Sequence, residues 1–81
     1  MAILNITFNG LSADYHMDMD HHMSDRDIRR VAAEVVRAGD VRGLHVHNLR
    51  NNAFDNYVVD RIDSGRGTKR IYLRPKVPFG A

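Results

Sequence analysis

The order of elements constrains this chain more than any other property. Residues 2–20 carry two alternating segments around Asn9-Gly10, residues 25–38 a sharply bounded helical pattern, and residues 44–74 return to β-type patterning. Leu4, Ile6 and Phe8 alternate with Asn5, Thr7 and Asn9, the period of a half-buried strand. Asn9-Gly10 supplies two residues that tolerate positive φ, which predicts a tight hairpin turn. Beyond it Tyr15, Met17 and Met19 alternate with His16, Asp18 and Asp20. Both strands therefore offer an apolar face to the same side.

The helix is bounded by its own caps. Ser24 is placed to accept a hydrogen bond from the first turn, and Asp27 stands where a capping box has its reciprocal partner. Asp25 and Asp27 also complement the positive end of the helix dipole. Ile28, Val31, Ala32 and Val35 form one stripe with Val36 and Ala38 at its edges, while Arg26, Arg29, Arg30, Glu34 and Arg37 cover the other side. Gly39 is the expected stop.

After the helix, Leu44 and Val46 alternate with His45 and His47, which reads as a short third strand over 44–49, followed by a turn at Asn51-Asn52. Residues 56–62 and 68–74 read as a second hairpin around Asp63-Ser64-Gly65-Arg66-Gly67. Within it, Val58 and Ile62 are expected to share the core face with Ile71 and Leu73. Tyr57, Arg61, Arg70, Tyr72 and Arg74 are expected to point outward. Pro75 and Pro78 interrupt any ladder, giving one domain over 1–75 and an extended tail over 76–81. A competing topology leaves 44–52 as loop and gives an open four-stranded sandwich. Either way the fold class is α+β, a sheet packed on one amphipathic helix.

The ββαβββ order, with the hairpin Ile3–Asp20, the helix capped at Ser24 and the late strand Lys69-Arg70-Ile71-Tyr72-Leu73-Arg74, resembles the ubiquitin-like β-grasp superfamily. That resemblance implies a small mixed sheet in which the last strand lies beside the first. It also implies a tail able to engage partners. Conjugating members end in Gly-Gly and this chain ends Phe79-Gly80-Ala81, in which one glycine and one extra residue also fit a processed terminus. Many members without a conjugating tail are interaction modules, and that is what the resemblance implies here.

Composition narrows the function further. At 81 residues there is material for one modest core. The absence of cysteine excludes disulfides, thiolate metal sites and a thiol nucleophile. No leader pattern is expected at the N-terminus, and no segment approaches the about 20 apolar residues that span a bilayer. A cytoplasmic protein without membrane contact is the expectation. With neither a Gly-x-Ser-x-Gly elbow nor a phosphate loop, no enzyme activity, small-molecule substrate or cofactor is expected. His16 with Asp18 and Asp20, and His45 with His47, have ligand-type spacing but complete no four-ligand motif, so no metal is assigned.

The net charge is only +2, but its distribution is uneven. Asp14, Asp18, Asp20, Asp25 and Asp27 cluster early, and Arg61, Arg66, Lys69, Arg70, Arg74 and Lys76 cluster late. Ten of the twelve basic residues are arginine, the residue suited to bidentate contact with carboxylates and phosphates. The principal expectation is a non-catalytic module that binds another protein through Arg70, Tyr72, Arg74 and Phe79. The alternative is a small nucleic-acid-binding protein using Arg61, Arg66, Lys69 and Arg70, with tyrosines as stacking surfaces.

Overall fold

The computed structural model describes residues 2–17, 22–63, 67 and 69–76. Strand β1 (Ala2–Phe8) pairs antiparallel with β2 (Leu11–Met17) across a turn in which Asn9 and Gly10 have φ of 51° and 79°. Two consecutive positive φ values match the right-handed twist of the flanking strands, which is why Asn-Gly is suited to this position. Helix α1 (Asp25–Ala38) follows, then β3 (Val58–Asp63) and β4 (Lys69–Arg74). The sheet order is β2-β1-β4-β3, with β4 parallel to β1 and every other pairing antiparallel. The last strand therefore lies centrally beside the first.

Both helix caps behave as local chemistry dictates. The Ser24 hydroxyl accepts the Asp27 amide at 3.1 Å. At the other end Gly39, at φ 82°, donates to the Val36 carbonyl while Asp40 donates to that of Val35, the reciprocal pattern that closes a helix on a left-handed residue. The His45 imidazole donates from Nε2 to the Arg37 carbonyl at 3.2 Å, satisfying another orphan acceptor of the last turn. A Cβ on Gly39 would meet that same imidazole nitrogen at 3.3 Å. Gly39→Ala combines left-handed strain with displacement of His45, and a loss of about 1–2 kcal/mol is expected in a urea titration. An unchanged midpoint would contradict this account of the cap.

The helix turns Ile28, Ala32, Ala33, Val35 and Val36 onto Leu4, Ile6, Ile71 and Leu73 of the sheet. The buried stripe is rotated slightly from the expected one: Ala33 is inside, Val31 is only partly covered, and Ala38 is exposed.

Residues 44–49 do not form the expected strand. The segment closes on itself through turn-type bonds from Leu44 to Val41 and from Leu49 to Val46, and Val46 donates to the Val36 carbonyl at the helix end. Leu44 and Leu49 are buried and Val46 partly so; their apolar spacing packs this corner of the core instead of lining a sheet. The following turns at 51–56 deliver Phe54 to the centre, with 0% exposure. Its ring meets Phe8 edge-on at 5.8 Å and Tyr57 at 4.8 Å, both favourable aromatic geometries. Arg37 straps this loop to the helix by donating to the Leu49 carbonyl and the Asn51 side chain.

Strand β3 also presents its side chains in the phase opposite to the expected one. Its register sets Val58 opposite Arg74, Val59 opposite Leu73, Arg61 opposite Ile71 and Ile62 opposite Arg70. Val59 therefore belongs with the core residues, and Val58 and Ile62 share the face of Arg70, Tyr72 and Arg74. The run Val58-Val59-Asp60-Arg61-Ile62 carries apolar residues in both phases, and a shift of one residue inverts every side chain. Arg61, expected outward, instead points to the helix side. Its guanidinium meets Asp25 Oδ1 at 2.6 Å and donates to the Met23 carbonyl at 2.6 Å. A charged side chain directed inward on an edge strand also discourages unwanted strand addition.

Candidate interaction face

The face of the sheet opposite α1 is a regular grid set by the register. One row across the sheet is His16, Ile3, Arg70 and Ile62; the next is Asp14, Asn5, Tyr72 and Asp60; Ser12 and Thr7 continue on one side, with Arg74 and Val58 on the other. No described element packs on this face. The sequence-predicted residues Arg70, Tyr72 and Arg74 are thus brought together on alternate positions of the central strand β4. Phe79 and Arg66 lie outside the described residues.

Polar groups on this face satisfy one another. Asn5 donates to Asp14 Oδ1 at 2.8 Å, and Ser12 donates to Asn5 Oδ1 at 3.1 Å. Arg74 forms an ion pair with Asp60 on the neighbouring strand while its guanidinium carbon sits 5.7 Å from the centre of the Tyr72 ring. Arg70 lies 3.9 Å from Asp14, a distant and half-exposed pair that contributes little by itself. Each of the two arginines has an aspartate neighbour, so the face carries fixed charge detail without a strong net field.

Apolar surface is set among these pairs. Ile62 is 51% exposed and Val58 40%, both on the edge strand, while Ile3 in the middle of the grid is only 9% exposed. Val58 and Ile62 were not legible as surface residues, because the sequence assigned them to the core. The available signal was the doubled valine at 58–59, which permits the opposite phase.

The alternative residue set is divided by the fold. Arg70 is on the open face, but Arg61 is on the helix side, and so is Lys69, which alternates with Ile71 and Leu73. The histidines expected to share a strand face are separated in function, since His45 is engaged at the helix end. Among the described residues no three His, Cys, Asp or Glu side chains group closely enough to hold a metal ion. Burial pushes the Tyr57 phenol above its ordinary range, in keeping with its place against Phe54. Among the described residues, no helix is long and apolar enough to cross a membrane.

These features define a small α+β domain, with a mixed four-stranded sheet and one helix, compatible with a β-grasp-like fold. In comparisons with protein-family models, curated proteins and solved structures, the chain matches none.

Proposed function

We propose that this protein is a non-catalytic interaction module of ubiquitin-like type, acting in the cytoplasm, which docks a partner protein on the open face of its sheet. The observation that carries this reading is the placement of exposed Val58 and Ile62 beside Tyr72, Arg70 and Arg74 on one continuous face. Aromatic and arginine side chains next to aliphatic surface are the usual anchors of protein interfaces. The Arg74–Asp60 pair, already formed within the face, lets a partner cover it without leaving a lone charge behind. The tail containing Phe79 belongs to the same proposal as a further apolar contact.

Nucleic acid binding has less support. Phosphate recognition draws on uncompensated cations, and the open face matches its arginines with aspartates. Arg61 and Lys69 face the other side. The two readings separate experimentally through Arg70→Ala combined with Arg74→Ala, in co-purification from native lysate with and without nuclease. Loss of a nuclease-resistant protein partner, with an unchanged melting curve, is the expected result. Retained binding removes this face from consideration, and a nuclease-sensitive partner favours the alternative.

A further inference from the structure

Two clefts on the helix side of the molecule run into one another. The first, of about 770 Å³, lies between the exposed side of α1 and the 51–56 turns, with Arg26, Arg30, Asn51 and Asn52 in its walls. The second, of about 630 Å³, lies between the start of α1 and the start of β3, with Tyr57, Val58 and Lys76 in its walls. Arg29 and Asp55 line both, so the two depressions adjoin there as a shallow, open groove. Arg29 is fixed at the junction because its Nε donates to the Tyr57 carbonyl at 3.0 Å.

Arg26 and Arg30 are the unusual members. Both are exposed, and neither has an ion pair or hydrogen bond among the described residues. They stand four residues apart on one helix, where like charges repel. Arg26 also lies in the first turn, at the positive end of the dipole, where a cation is disfavoured. Glu34, four residues beyond Arg30, lines the same cleft without pairing with it. Local stability does not explain this arrangement, and departures from local preference concentrate at functional positions.

The charge balance indicates a ligand. Asp25, the acidic residue at one end, is committed to Arg61 at 2.6 Å. What remains is Arg26, Arg29, Arg30 and Lys76 against Glu34 and Asp55. The groove ends at β3, an edge strand whose outer side has no strand partner among the described residues. We propose that this groove binds an extended acidic segment of a partner protein, its carboxylates received by Arg26, Arg29 and Arg30. Arginine forks suit carboxylates, and the three arginines lie close enough on one helix to receive successive acidic side chains of one segment. Tyr57, held edge-on to Phe54, is no free platform for stacked bases. This site adjoins the open face at Val58 but uses none of Arg70, Tyr72 and Arg74, and it stands whether or not the open face docks a partner.

The test is fluorescence polarisation on the full chain with a labelled peptide alternating glutamate and valine. Its lysine counterpart and a single-stranded oligonucleotide of equal charge serve as controls. The glutamate peptide is expected to bind saturably and the lysine peptide not at all. Arg26→Glu with Arg30→Glu is expected to weaken binding by about tenfold or more, as loss of charge-assisted contacts implies. Arg30→Gln alone gives a smaller loss without adding charge, which guards against a folding defect in the double variant. Arg70→Ala with Arg74→Ala is expected to leave the affinity unchanged. Absence of saturable binding, equal binding by the folded Arg26 and Arg30 variants, or tighter binding of the oligonucleotide would overturn the proposal.

Discussion

Phe54→Ala is expected to be among the most destabilising single substitutions in this domain, moving its urea midpoint far below that of the wild type. The ring is fully buried, contacts Phe8 and Tyr57 edge-on, and joins the 51–56 turns to the helix–sheet core. Truncating a buried phenylalanine costs about 3–5 kcal/mol, the lost transfer energy plus the cavity left behind. At about 0.05–0.15 kcal/mol per residue, a domain of 81 residues has about 4–12 kcal/mol in total, so the loss removes a quarter of it or more. Circular dichroism and a urea titration should show an early transition. A variant retaining the wild-type midpoint would mean that Phe54 does not hold the core in place.

Ile62→Asp has the opposite profile: little change in stability and a large loss of partner binding. Ile62 is half exposed on an edge strand, so its transfer from water contributes little to folding. Within a docked interface the same position would replace an apolar anchor by a carboxylate that must be desolvated, and that draws Arg70, directly opposite, away from the partner; such losses cost several kcal/mol. Thermal melts should superimpose within a few degrees while partner recovery falls by about a hundredfold or more, one factor of ten for each 1.4 kcal/mol. Had Ile62 belonged to the core with Ile71 and Leu73, the same substitution would unfold the domain. The experiment therefore tests the strand register as well as the face.

Legibility in the sequence followed the range of the forces involved. Asn9-Gly10, Ser24 and Gly39 act within a few residues of themselves, and the hairpin and both helix ends are where local chemistry places them. The alternation of Leu4, Ile6, Ile71 and Leu73 likewise marked the side chains that face the core. The phase of β3 was not local, because Val58-Val59 allows two registers and the pairing with β4 selects one. Residues 44–57 were not local either. Leu44, Val46 and Leu49 have spacing compatible with a strand, but they are used under the helix end, and the burial of Phe54 depends on where the turns return the chain. On the candidate face, Arg70, Tyr72 and Arg74 were readable from period-two alternation alone. Val58 and Ile62 were hidden by the register ambiguity. Arg61 looked outward by the same reasoning and was wrongly grouped with Arg70.

The most direct test of the account compares wild type, Ile62→Asp and the Arg70→Ala, Arg74→Ala variant in one quantitative co-purification from native lysate, with nuclease added. The account predicts a discrete protein partner recovered by wild type and lost from both folded variants. The same partner recovered at wild-type levels by Ile62→Asp, or recovery that disappears with nuclease, would contradict the assignment of the open sheet face to protein docking.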